Sequence, residues 1–254
     1  MLFLQMVKRR SMKDKDKGTK IELQNDEVFD VTPQSSLVHE TSKVPLSIIE
    51  YGSDYIDERV VHQKYYNSFN FSKLSKRYET LNVVLGITSA NQGEGKTLVA
   101  SNMAVSLAQA YRQRTVLIDL NIQNPQLHNI FGTSLEPGLA EAFENRMLKV
   151  SPTLIEDLYL LSAGNFKRYK PGIKDTIPLR EILFTLKAEF DFIIVDMGAV
   201  LPFEDFPIHF INEMDGLIAV VDTQHTRQEH LRKIFKHIDE NRFVGYILNK
   251  VEDR

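Results

Sequence analysis

One stretch limits what this chain can fold into more than any other. Ala90-Asn91-Gln92-Gly93-Glu94-Gly95-Lys96-Thr97 follows the apolar, β-rich run Val83-Val84-Leu85-Gly86-Ile87-Thr88. It precedes Leu98 to Ala110, which is rich in Ala, Leu, Met and Val and holds no Gly or Pro. Strand, glycine loop and helix in that order form a phosphate cradle, here with Ala90 in place of the first glycine of the usual motif. The glycines let backbone N–H groups turn inward around phosphate oxygens, Lys96 can reach the β- and γ-phosphates, and the Thr97 hydroxyl can ligate Mg²⁺. The positive end of the following helix dipole points at the same anion.

The chain has 254 residues, enough for one α/β domain with a tail or at most two small domains. Hydrophobic residues make up 43 %, which supports a core of ordinary size, and the net charge of -3 makes nucleic acid a poor partner. With no cysteine, disulfides, thiolate metal sites and cysteine nucleophiles are excluded, and the composition suits a reducing cytosol. No apolar run approaches the ~20 residues of a membrane helix. The short apolar start, Met1 to Val7, precedes a basic cluster, the reverse of a secretion signal.

That cluster holds Lys8, Arg9, Arg10, Lys13, Lys15, Lys17 and Lys20 against Asp14 and Asp16. Together with the aperiodic stretch 21–44 it reads as a largely disordered basic tail over 1–44, followed by a single nucleotide-binding domain over 45–254 with its core from 82. A solvated tail is the plain reading of the cluster, and attraction to an anionic membrane surface is the sharper one. Between 54 and 80 the sequence is helical in parts.

From 81 onward apolar strand runs at 83–88, 115–119, 158–162, 191–196, 216–222 and 243–249 alternate with helical stretches at 96–111, 178–189 and 226–240. In the last, Leu231, Ile234, Phe235 and Ile238 share one helix face. Continuously apolar strands are buried on both faces. The expectation is an α/β fold, a doubly wound, mostly parallel sheet flanked by helices, with its ligand beyond the carboxyl ends of the strands.

Two of those strands end in aspartate, Val116-Leu117-Ile118-Asp119 and Phe192-Ile193-Ile194-Val195-Asp196. Each delivers a carboxylate to the edge where the glycine loop lies. Phosphoryl transfer needs Mg²⁺ held by the loop hydroxyl and an acid, and a group that orients or deprotonates the nucleophile. Asp196 suits the metal role and Asp119 the base or water-positioning role, with Lys96 the third catalytic candidate. A strand-ending Asp that merely caps the next helix is the bland alternative. The expected Mg²⁺ ligands are Thr97, Asp119 and Asp196, and Gln92, Gly93, Glu94, Gly95, Lys96, Thr97 and Leu98 are expected to line the nucleotide. The seven histidines show no metal-ligand spacing; His128 and His209 read as packing or surface residues.

Residues 82–254 resemble the cytoplasmic kinase domain of the bacterial tyrosine kinases that govern capsular and exopolysaccharide synthesis. The resemblance is carried by Gly93-Glu94-Gly95-Lys96-Thr97, Asn102 to Gln109, Val116 to Asp119, Pro125 to Gly132, Ser162-Ala163-Gly164, Phe190 to Asp196 and Gly245 to Asn249. It implies a fold related to the MinD/ParA P-loop ATPases, ATP or ADP with Mg²⁺ as cofactors, and Asn249 as a contact to adenine. It further implies a membrane-embedded polysaccharide co-polymerase or adaptor as partner, self-assembly, and a place at the inner face of the plasma membrane through that partner.

Departures from the resembling pattern stand at specific positions. The family's Asp-x-Asp-x-Arg motif reads Asp119-Leu120-Asn121-Ile122-Gln123 here, so one acid and the arginine are replaced. Gly198 and Ala199 occupy the places of a usual proline pair. No tyrosine follows Tyr246 before Arg254, whereas the family commonly ends in autophosphorylated tyrosines. The glutamate-and-arginine helix used for ring assembly should fall near 57–69, where Val60, Gln63 and Tyr66 stand at its charged places. These features lead to an ATP-dependent tyrosine autokinase with weakened or partner-dependent catalysis, Tyr51 and Tyr55 being the better acceptors within the chain. The alternatives are a non-catalytic nucleotide-binding scaffold and a MinD/ParA-type switch, the latter disfavoured because Asn91 stands where that class carries a second lysine.

Overall fold

A computed structural model of the chain describes residues 3–5, 44–49, 53, 55–61, 82–167, 169, 171–203 and 206–251. In chain order the elements are β1 (Phe3–Gln5), β2 (Leu46–Ile48), α1 (Glu58–Val61), β3 (Val83–Ser89), α2 (Lys96–Tyr111), β4 (Thr115–Leu120), α3 (Leu127–Ile130), α4 (Leu139–Asn145), β5 (Leu148–Pro152), β6 (Leu158–Leu161), α5 (Thr176–Lys187), β7 (Phe192–Ala199), β8 (Gly216–Asp222), α6 (Gln228–His237) and β9 (Phe243–Asn249).

The strands form a sheet in the order β1-β9-β8-β3-β7-β4-β6-β5-β2. From β9 through β6 every pairing is parallel, while β1 on β9 and β5 on β6 are antiparallel. The glycine-loop strand β3 therefore lies mid-sheet between β8 and β7. Its residues are buried from Val83 to Ser89, which is why the sequence there is apolar without alternation. Alternate side chains go to opposite faces: Leu85 and Ile87 pack with Val99, Met103 and Leu107 of α2, while Val84 packs in the cluster that holds Leu179, Ile182 and Leu186 of α5 and Ile234 of α6. Each fully buried side chain of this size contributes about 1.5–3 kcal/mol, so the two covering layers fix β3 firmly.

Helix α2 begins where the loop ends. Gly95 takes a left-handed turn at φ 88° and the helix runs from Lys96 until Arg112, itself left-handed at φ 53°, whose N–H closes on the Leu107 carbonyl. Its hydrophobic residues lie all round rather than on one stripe, because β3, β4 and β7 lie on one side and α1 on the other.

The doubly wound parallel expectation holds, and the six apolar runs are all strands. The helix expected over 178–189 spans Thr176–Lys187, and that expected over 226–240 is the shorter Gln228–His237. The short elements β2, α3, α4 and β5 carry no sequence period long enough to announce them. Of the tail expected over 1–44, Phe3–Gln5 forms β1 and residues 6–43 lie outside the described residues. Of the helical stretch expected within 54–80, Glu58–Val61 is α1; residues 62–80, with Gln63 and Tyr66, lie outside them, as does Tyr51.

Candidate nucleotide site

The carboxyl ends of β3, β4, β7 and β8 meet at one edge of the sheet, and the loop 90–95 crosses it. Lys96, first residue of α2, is only 6 % exposed. The loop is braced from inside by Glu94, itself buried: one carboxylate oxygen accepts the Ala90 N–H at 2.9 Å, and the other accepts the Asn91 amide at 2.7 Å and the Thr226 hydroxyl at 2.6 Å. Beyond β7, the N–H groups of Val200 and Leu201 donate to the Ser89 and Ala90 carbonyls, so this segment lies alongside the start of the loop.

Asp119 on β4 and Asp196 on β7 are direct cross-strand partners, and Ile87 of the loop strand pairs with Asp196 on its other side. Both aspartates are fully buried. Their surroundings differ. Asp119 accepts the N–H of Asn121 at 3.1 Å on one oxygen, and those of Gln126 at 3.1 Å and Leu127 at 3.0 Å on the other. It organises the turn after β4 and caps the start of α3, the bland role foreseen for a strand-ending aspartate. Neither oxygen of Asp196 has a hydrogen-bond partner.

Burial raises the pKa of both, most directly because a charged carboxylate loses its water. For Asp119 the three backbone donors and the charge of Lys96 pull it back. For Asp196 the neighbouring Asp119 pushes further up, while Lys96 and the nearby Thr97 hydroxyl pull down. The influence of Lys96 on both places the three groups in one electrostatic neighbourhood. A buried, unpartnered carboxylate beside a lysine and a threonine hydroxyl is costly in the bare protein and suited to a hard cation with oxygen ligands. The residues present therefore fit Mg²⁺.

The departures lie at the same edge. Asn121 is buried and Gln123 exposed, and both line a cleft shared with Gln92 of the loop and Gly198 after the second aspartate. Asn249 ends β9, and its amide donates to the Glu94 carbonyl at 2.9 Å, so it sits against the loop. Among the described residues no group of three or more His, Asp or Glu side chains is placed to hold a metal ion. His128 and His209 are half-buried and their pKa values are lowered by burial.

Sequence reasoning missed a third strand-ending aspartate. Asp222 closes β8, and one of its oxygens accepts the Lys250 ammonium at 2.8 Å; Lys250 also donates to the Gly93 carbonyl at 3.1 Å. The signals were present: Leu217 to Asp222 repeats the apolar-run-to-Asp pattern of the other two, and Lys250 directly follows Asn249.

The sequence and the fold both have counterparts among known proteins. The pattern of the CobQ/CobB/MinD/ParA nucleotide binding domain matches residues 85–254. The tyrosine-protein kinase CpsD of Streptococcus agalactiae serotype III is 28 % identical over 178 residues, 68 % of this chain and 76 % of that protein. The succinoglycan biosynthesis transport protein ExoP of Rhizobium meliloti is 27 % identical over 177 residues, 66 % of this chain but only 22 % of that larger protein. Among solved structures, the VpsO kinase domain superposes with a TM-score of 0.64 at 25 % identity, covering 77 % of this chain and 95 % of that one. This chain belongs to the CobQ/CobB/MinD/ParA nucleotide binding domain family, and within it is similar to the bacterial tyrosine-protein kinases.

Proposed function

We propose that the chain binds Mg-ATP and Mg-ADP and serves as the cytoplasmic tyrosine-kinase module of a capsule or exopolysaccharide system, with catalysis that is weak until a partner assists. The observation that carries the reading is the unpartnered, buried Asp196 beside Lys96 and Thr97 at the mouth of the glycine loop. A nucleotide phosphate with its cation satisfies all three groups at once. Mg²⁺, when bound, supplies charge neutralisation across the β- and γ-phosphates. Thr97 and Asp196 would hold it, directly or through water. Gln92 to Leu98 would cradle the phosphates and Asn249 would face the adenine.

Asp119, held by three backbone donors, has a fixed orientation, and the oxygen that accepts only the Asn121 N–H keeps acceptor capacity toward a nucleophile. Its raised pKa brings it nearer to the range in which a carboxylate can take and return a proton. Asn121 and Gln123 leave the γ-phosphate end without the second acid and the arginine of the resembling kinases, and transition-state charge is stabilised less as a result. This supports weak intrinsic turnover. Tyr55, 52 % exposed, is an accessible acceptor within the chain, and Tyr51 shares its place in the sequence.

A membrane-embedded co-polymerase or adaptor is the partner in this reading, supported by the likeness to a succinoglycan biosynthesis transport protein. The deciding experiment incubates purified protein with labelled ATP and Mg²⁺, with and without the cytoplasmic segment of a membrane co-polymerase, and separates ADP release from phosphotyrosine. Nucleotide binding with neither product, even with the partner, would favour the scaffold reading. No nucleotide binding at all would remove both.

A further inference from the structure

A phosphate loop works only while its peptide planes keep their N–H edges inward. Because the peptide is planar and trans, an inward N–H carries an outward carbonyl on the preceding residue. The outward carbonyls are therefore the handles by which the rest of the protein can hold the loop. Three of them are held by side chains here. The Asn91 carbonyl accepts the Ser89 hydroxyl at 2.8 Å, the Glu94 carbonyl accepts the Asn249 amide at 2.9 Å, and the Gly93 carbonyl accepts the Lys250 ammonium at 3.1 Å.

The Gly93–Glu94 peptide most needs the handle. Gly93 stands at φ +80°, and a Cβ placed there would meet nothing within 4 Å. Glycine visits both signs of φ almost equally, so local sterics do not fix this plane. Lys250 itself is placed by two constraints. Its backbone is left-handed at φ 55°, and its ammonium bonds at 2.8 Å to Asp222, whose side chain is 3 % exposed. The second oxygen of Asp222 accepts the Gln224 N–H at 2.9 Å, which fixes the carboxylate in turn. The result is a relay from the end of β8, through the residue after β9, to one peptide of the loop.

We propose that Lys250, anchored by Asp222, is a positioning residue of the nucleotide site: it holds the Gly93–Glu94 peptide so that the Glu94 N–H faces the phosphates. This rests on the nucleotide-binding reading above. Lys250 reaches the loop from its outer side and acts on the ligand through the backbone.

The test measures affinity for Mg-ADP and for inorganic pyrophosphate in the full chain. Pyrophosphate occupies the loop without a base or ribose. Lys250→Met keeps the aliphatic stem and removes the ammonium; it should weaken both ligands about tenfold, equivalent to 1.4 kcal/mol. Lys250→Arg keeps a cationic donor and should stay within about threefold of wild type. Asp222→Asn combined with Lys250→Met should be no worse than Lys250→Met alone, since the two residues act as one unit. Unchanged binding in Lys250→Met overturns the proposal. So does a loss confined to ADP, which would make Lys250 a base or ribose contact, or an equal loss in the Met and Arg variants, which would indicate general disturbance. If wild type binds neither ligand, the nucleotide reading itself falls; if wild type binds and only the Lys250 results fail, that reading survives.

Discussion

Asp119 and Asp196 face each other across β4 and β7 in direct register, yet one carboxylate is met by three backbone N–H groups and the other by none. The same sequence pattern, an apolar strand ending in Asp, thus produces a structural brace and a carboxyl free of hydrogen bonds side by side. Most of the expectations for this protein follow from that asymmetry.

Asp196→Asn replaces a buried carboxyl whose oxygens make no hydrogen bond and which lies next to a second carboxyl. The nucleotide-free protein should melt at the same temperature or higher, while the Mg²⁺ dependence of ADP binding should disappear. Asp119→Asn should do the opposite to stability. An amide cannot accept the three N–H groups on both sides, and buried donors left unmade cost about 1–3 kcal/mol each. Thermal melts of the two variants, with a Mg²⁺ titration at fixed ADP, check the pair together.

Lys96→Ala should weaken Mg-ADP at least tenfold, or 1.4 kcal/mol, if the Lys96 ammonium meets the phosphates as proposed. Calorimetry reads this directly, and equal affinity in the variant would contradict the site.

Asn121→Asp combined with Gln123→Arg should restore charge where the resembling kinases have it. Groups of this kind are often worth a factor of about 10²–10³ in rate. ATP turnover by the isolated double variant should therefore rise by at least tenfold over wild type, with little change in ADP affinity. Rapid stoichiometric autophosphorylation of the unmodified chain, seen by phosphopeptide mapping, would show instead that these substitutions are harmless.

Acid sensitivity should run through Asp222. Burial pushes its pKa up, but Lys250, the Gln224 N–H and His225 outweigh it and hold the carboxyl at about 2, below its ordinary 3.8. The unfolded chain binds this proton first as pH falls, so the contribution is present above pH ~4 and is lost toward pH 2. Asp222→Asn should differ most from wild type in denaturant melts above pH 4, and the gap should close toward pH 2.

The central sheet was legible because β3, β4, β7 and β8 are buried on both faces and need unbroken apolar runs, which few other structures demand. The edges were not. Leu148–Pro152 carries Lys149 and Pro152 and pairs antiparallel with β6 through only two described partners, so it lacks both length and period. Leu46–Ile48 is three residues of parallel edge whose burial is decided by the neighbour it meets. At the site, the loop and two aspartates could be read because each is local. The Glu94–Thr226 and Gly93–Lys250 contacts join residues 132 and 157 positions apart, and only the folded sheet brings them together.

The short strand Phe3–Gln5 lies antiparallel along Tyr246–Leu248 of β9, at the outer margin of the sheet. It occupies backbone donors and acceptors that would otherwise stand open as a template for another chain. Shortened versions that begin near residue 45 would bare that margin and adhere to one another through β9. Particle sizes measured on such trimmed material would then report the cut, and the association state of this protein should be determined with Phe3–Gln5 in place.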